Sequence, residues 1–288
     1  MNSTSSYLSP GIRHILLAGV FFTLMQAIIK EMTDFHLFQI IFFRSVITAV
    51  VATIYLKRRR IPLLGKRRKL LATRAIFGIC AMTLFFATIQ LIPLGAAVSL
   101  KYLSPVFTAV LAVWLLNEKV RTVQWGLFGL AFLGVVLLKG FDVRIAPFAL
   151  GLGIVGAVFA GLVYVTIRKI GTSEHPLVII NYFMFSATVL SGLAMIPFWK
   201  TPSQTEFGTL LLMGVLGYIA QYFMTKAHQI ELASRIAPFR YLEVVYSLLL
   251  GYLFFKEAYT ALSLLGVVLI VGSMMLNVFL KKERRHQM

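Results

Sequence analysis

The chain has 288 residues, of which 59% are hydrophobic and only 13% are Asp, Glu, Lys or Arg. A soluble chain of that length could not bury so much apolar surface in one core, so it is read as an integral membrane protein. The formal net charge of +18 would point a soluble chain towards nucleic acid; here membrane topology accounts for it, and no nucleic-acid partner is expected.

A spanning helix needs about 20 mostly apolar residues. Apolar runs between charged or turn-forming breaks predict ten of them, over residues 11–30, 36–56, 70–91, 95–115, 121–139, 147–168, 175–198, 207–228, 233–254 and 260–280. The loops between them are too short for a soluble domain, and no Gly/Ser/Pro-rich linker interrupts the chain. The first span follows no basic n-region or small-residue cleavage site, so it is expected to be retained.

With the N-terminus inside, 17 Lys and Arg fall on inner segments, among them the run from Lys57 to Lys69, and 5 on outer ones. The positive-inside rule then predicts a multi-pass protein of the inner (plasma) membrane with both termini cytoplasmic. The basic run is a topological anchor, with anionic membrane lipid as a second partner.

Sliding the chain against itself until Lys30 falls on Lys169 also aligns His36 with His175, Gln90 with Gln229, Tyr102 with Tyr241 and Glu118 with Glu257. Lys101 falls on Arg240, which keeps the charge. Polar coincidences at one offset mark a duplication. Each half then carries five spans, and an odd number makes the second half enter the membrane from the opposite side. The expected fold is therefore all-α, with ten transmembrane helices arranged as two inverted five-helix repeats, residues 1–140 and 141–288. That architecture places a solute site near the midplane between the halves.

The two halves of similar length, the segment Ile92-Pro-Leu-Gly-Ala-Ala-Val-Ser-Leu100, the segment Leu103-Ser-Pro-Val-Phe-Thr-Ala-Val110 and the acidic turn Leu116-Asn-Glu118 resemble the drug/metabolite transporter superfamily, EamA type. The second half has Phe255-Lys-Glu257 where that family often has Gly-Glu. The resemblance implies ten helices, alternating access, a central cavity built by helices 1–4 and 6–9, and peripheral helices 5 and 10. It leaves the cargo open. The charge-free interiors of the fifth and tenth spans agree with a peripheral place.

A charge at the centre of a spanning helix costs roughly 2.5–3.5 kcal/mol on the insertion scale, so each needs a partner or water. Arg44, Lys101, Arg240 and Glu243 are deep, whereas Arg74, Lys226 and Arg235 lie near span ends and are expected to snorkel. Arg240 and Glu243 are spaced i, i+3 and can pair on one face. Either that pair is a structural lock, or Glu243 is the protonation site that couples transport to a proton gradient. In the second case ionised Glu243 occupies Arg240 and protonated Glu243 releases it to cargo. Lys101 and Arg44 have no local partner; either each reaches a carbonyl or Glu243, or the cavity is left positive and suits an anionic or zwitterionic solute.

Tyr222 on the eighth span, and Tyr102, Tyr241 and Tyr246 around the charges, are candidates for cargo contacts or for helix packing. Pro105 and Pro238 lie inside spans and can kink them. The run Gly151-Leu-Gly-Ile-Val-Gly156 matches a dinucleotide fingerprint only by accident, since no strand precedes it; Gly153, Ala157 and Gly161 instead form a small-residue packing face.

Five histidines at span ends or in the tail, a single cysteine (Cys80) and no paired-carboxylate spacing exclude a usual catalytic or metal motif. No enzyme activity, cofactor or metal is expected. The function predicted is secondary active transport, by export, of a small organic metabolite that is anionic or zwitterionic, with proton coupling as an option. The alternatives are a lipid-handling flippase and an anion channel, and a homodimer is left open.

Overall fold

The computed structural model describes residues 9–116, 122–139, 145–230 and 239–286, and every regular element among them is helical. Seven stretches are long and apolar enough to cross a membrane. They are α1 (Pro10–Glu31), α2 (Leu37–Arg58), α3 (Arg68–Leu91), the broken pair α4 (Leu94–Lys101) and α5 (Ser104–Leu116), α7 (Pro147–Ile170), α8 (Pro176–Ala194) and α9 (Gln204–Ile230). Shorter apolar stretches lie in α6 (Thr122–Lys139), α10 (Leu242–Phe255) and α11 (Ala261–His286). Large apolar side chains such as Phe148, Leu193 and Phe254 stand exposed on the outside, which suits hydrocarbon and not water. The chain is thus a multi-pass membrane protein, as its composition predicts.

Helix starts follow local chemistry. Ser9 caps α1 by accepting from Ile12 N–H at 3.4 Å, and Pro10 occupies the first turn, where a missing N–H is harmless. His36 and His175, equivalent under the internal repeat, do the same job: each Nδ1 accepts the N–H of the next residue but one, at 3.4 Å from Phe38 and 3.2 Å from Leu177. Before α3 the chain turns at Gly65, whose φ of +60° requires glycine. A side chain there would also strike Glu174, whose carboxylate accepts the Lys66 and Arg67 N–H groups at the mouth of α3.

Helix α1 packs along α9 and α3 along α7, while α2 packs on α8 and α6 on α11. The shift that superposes Lys30 on Lys169 carries α1 onto α7 and α3 onto α9, so it carries the α3–α7 pair onto the α9–α1 pair. Small residues permit the closest approaches. Gly153 and Gly161 on α7 leave room for Leu100 and Phe107, and Ala157 between them is buried. Gly134 and Gly266 bring α6 and α11 so near that a methyl group on either would meet the other's carbonyl oxygen. Helices α6 and α11 pack chiefly on each other, with Gln124 Nε2 donating to Asn277 Oδ1 at 2.6 Å across their buried face.

Candidate functional site

The fourth span is broken at its middle. Helix α4 ends at Lys101, Tyr102 and Leu103 form a turn, and α5 starts at Ser104. Pro105 explains the break: it has no N–H to give to the Lys101 carbonyl one turn back. Tyr241, at the equivalent place in the second half, is likewise a turn residue just before α10. Pro238 lies outside the described residues.

Beside this break is a cavity of about 230 Å3. Arg44, Lys101 and Tyr102 line it, with Gln26, Phe183 and Tyr164. At its edge the Glu243 carboxylate, buried to 5% exposure, gathers three donors: Lys101 Nζ at 2.5 Å, Gln26 Nε2 at 2.7 Å and the Tyr102 hydroxyl at 2.9 Å. The Tyr102 hydroxyl is also 2.6 Å from the Arg240 carbonyl oxygen, so its one proton has two acceptors within reach. All three donors to Glu243 come from the first half of the chain.

The i, i+3 expectation is therefore corrected: the ion-pair partner of Glu243 is Lys101, not Arg240. A charge-assisted contact across two helices satisfies the carboxylate where a bond along one helix does not form. Arg240 turns instead to the Tyr164 hydroxyl, with Nη2 at 3.5 Å. Lys101 also lies 5.0 Å from the Phe85 ring centre and 5.1 Å from that of Tyr102, within cation–π range.

Arg44 and Arg74 have a different environment. Arg44 is 6% exposed; its Nη1 donates to the Met184 sulfur at 3.0 Å and its Nε has no partner. Arg74 snorkels only in part: the residue is half-buried, its Nε and Nη1 are buried without partners, and its guanidinium lies 4.3 Å from the centre of the Phe183 ring. The packing of α3 against α7 and α8 covers its inner edge. Among the described residues no carboxylate pairs with either arginine.

The remaining candidates are dispersed. The ring of Tyr241 meets that of Tyr102 with centroids 4.9 Å apart. Tyr246 packs over Gly19 of α1, at a helix interface. Tyr222 is 51% exposed and lines a second cavity of about 190 Å3 between α2, α8 and α9, with Thr48, Tyr218, Gln221, Thr225 and Lys226. Sequence reasoning did not single out Tyr164, Phe183 or Gln26. Only Gln26 carried a signal, an amide in the middle of an apolar helix.

A second ionic cluster sits at one end of the bundle. Lys30 Nζ lies 3.1 Å from Glu257 Oε1 and donates to the Ile92 carbonyl at 2.8 Å. Glu257 in turn accepts the Leu94 N–H at 3.0 Å and the Tyr259 hydroxyl. Together they clamp the tight turn between α3 and α4 from both sides, a cation at a helix C-terminus and an anion at a helix N-terminus. Near the same end Lys200 donates to Glu206 at 3.0 Å and lies 3.6 Å from Asp34, contacts that raise its pKa above the ordinary lysine value.

A helical membrane protein with a charged, solute-sized cavity at a broken span has the build of a transporter. The EamA-like transporter profile matches residues 9–139 and again 147–279. The chain belongs to that family, within the drug/metabolite transporter superfamily. It is 30% identical to the pseudopaline exporter of Pseudomonas aeruginosa over 267 residues, 92% of this chain and 94% of that protein. It is 27% identical to the S-adenosylmethionine uptake transporter of Rickettsia prowazekii, over 98% of this chain and 96% of that one. A solved crystal structure with 17% identity aligns over 95% of this chain and 96% of its own at a TM-score of 0.63, a likeness of fold.

Proposed function

We propose that the protein is a secondary active transporter that exports a small anionic or zwitterionic metabolite across the inner membrane. Two five-helix halves, 1–140 and 141–288, of opposite orientation would alternate access to the cavity beside Lys101, with both termini cytoplasmic. The observation that carries the reading is the charge balance at the cavity: among the described residues, Arg44 and Lys101 line it, Arg74 and Arg240 contact its lining side chains Phe183 and Tyr164, and one carboxylate, Glu243, pairs with Lys101 at its edge. Unanswered positive charge in a low-dielectric interior is stabilised by an anion and repels a cation.

Several features support the inverted arrangement: the helix pairs that match under the repeat shift, the paired histidine caps, the breaks at Tyr102 and Tyr241, and two consecutive matches to one family profile. The relative from Pseudomonas aeruginosa is an exporter, and we take that direction for this chain. Glu243 is the proposed proton carrier, because its protonation would release Lys101 to the cavity. The second cavity, open beside the exposed Tyr222, favours lipid handling as the alternative reading.

Cells with and without the gene, compared for intracellular and released metabolites, test the reading. An anionic or zwitterionic metabolite retained in the deficient cells supports it, and saturable counter-exchange in proteoliposomes identifies a carrier. Single-channel current would assign an anion channel, and accelerated movement of labelled lipid would assign a flippase.

A further inference from the structure

We infer that Arg44 and Arg74 form a second anion subsite, so that the solute carries at least two anionic groups, carboxylate or phosphate. The inference rests on the transport reading above and specifies its cargo. Helix α8 presents two consecutive side chains, and a guanidinium sits on each: Arg44 on the Met184 sulfur, Arg74 on the Phe183 ring. Because Phe183 and Met184 are consecutive residues of one helix, both guanidiniums belong to the same region of the bundle. A thioether is a weak acceptor and a ring face is none for most of the five N–H groups of a guanidinium. Buried donors without acceptors are expensive, and a buried charge without a counter-charge more so.

The Lys101 end of the cavity is arranged differently. There the cation is already held by Glu243 and two neutral donors complete the carboxylate. One region is balanced, and the other has two cations and no anion among the described residues. A monoanion docked on Arg44 would leave Arg74 unanswered. A second anionic group, or a branched polycarboxylate that reaches both, satisfies the planar fork of each guanidinium by paired N–H···O contacts.

Access has a structural basis. Arg44 and Phe183 line the cavity directly, and Arg74 lies behind the Phe183 ring. Gly78 on α3 leaves the space that this ring and Arg74 Nη1 occupy; a methyl group there would press on both. A turn of Phe183 away from Arg74 would bring that guanidinium to the cavity wall.

Purified protein in nanodiscs, titrated at pH 7 and matched ionic strength with acetate, succinate, citrate, inorganic phosphate and glycerol phosphate, tests this by thermal shift and by calorimetry. Succinate or citrate should bind at least about tenfold more tightly than acetate. Arg74→Gln should bring them to the level of acetate in the same variant. Arg74→Lys keeps the charge without the fork, and should bind succinate between the wild type and Arg74→Gln; it also serves as the folding control. A phosphate arm stronger than the carboxylates would assign the subsite to phosphorylated solutes. Equal binding of acetate, succinate and citrate in the wild type would overturn the two-anion inference and leave anion transport standing. Absence of binding by every anion would remove the anionic cargo itself.

Discussion

Tyr102 and Tyr241, equivalent positions of the two halves, meet ring to ring with centroids 4.9 Å apart. Residues that are equivalent under a two-fold relation touch each other only near the axis of that relation. Their contact therefore marks where an axis relating the halves would pass, and Lys101, Arg240 and Glu243 are their close chain neighbours. The pairing of α2 with α8 and of α6 with α11, each a helix against its own counterpart, is compatible with such an axis.

If Glu243 carries the proton, Glu243→Gln should make flux independent of an imposed pH gradient in proteoliposomes and leave counter-exchange intact. Lys101→Ala strands a buried carboxylate and should be worse for stability than the pair of changes Lys101→Ala with Glu243→Ala. A Glu243→Gln protein whose flux still follows the pH gradient as the wild type does would confine the carboxylate to a structural role.

The Lys30–Glu257 clamp is open to a double-mutant cycle. Glu257→Ala removes the counter-ion of Lys30 and the acceptor of the Leu94 N–H, a loss on the order of 3 kcal/mol in thermal or denaturant unfolding. Glu257→Gln keeps an acceptor and should lose less. Lys30→Met combined with Glu257→Gln should recover part of the deficit; strict additivity of the two changes would mean that the ion pair contributes nothing.

Helices α6 and α11 should behave as scaffold. Leu130 is 42% exposed, and Leu130→Val should alter stability by less than about 0.5 kcal/mol and spare transport. Gly266→Leu, by contrast, would drive the two helices apart at the Gly134 contact and should abolish the folded protein in size-exclusion chromatography. Loss of transport in Leu130→Val equal to that in a cavity variant would contradict the scaffold role.

Topology can be read directly. Reporter fusions after Lys69 and after His286 should both report the cytoplasm. A periplasmic signal at either position would invert the assignment drawn from the basic run.

Much of this was legible in the sequence because membranes impose simple rules. Composition alone placed the chain in a bilayer, polar matches at one offset paired His36 with His175 and Tyr102 with Tyr241, and Pro105 marked where the fourth span breaks. What remained hidden were contacts between helices far apart in the chain. The i, i+3 spacing of Arg240 and Glu243 predicted a local pair, a reach of Lys101 to Glu243 was one alternative among several, and no linear rule could reveal that Gln26 and Tyr102 join Lys101 on the same carboxylate. Arg74 was placed only in part for a related reason. Its distance from the helix end suggested a snorkelling side chain, and it is half-buried, but depth counted along one helix says nothing of the neighbour that covers part of it, here Phe183 on α8.

The long-range pairing of Glu243 bears on how the chain is made. Gln26, Lys101 and Tyr102 leave the ribosome well before residue 243, and Lys30 well before its partner at residue 257. Until the last fifth of the chain is synthesised, the early spans sit in the bilayer with an ammonium or an amide that has no carboxylate to meet. Translation that stops short of Glu243 would leave those groups exposed within the membrane, a signature that quality-control proteases can read. Synthesis of α10 and of the residues just beyond it thus supplies the carboxylates that the early helices wait for.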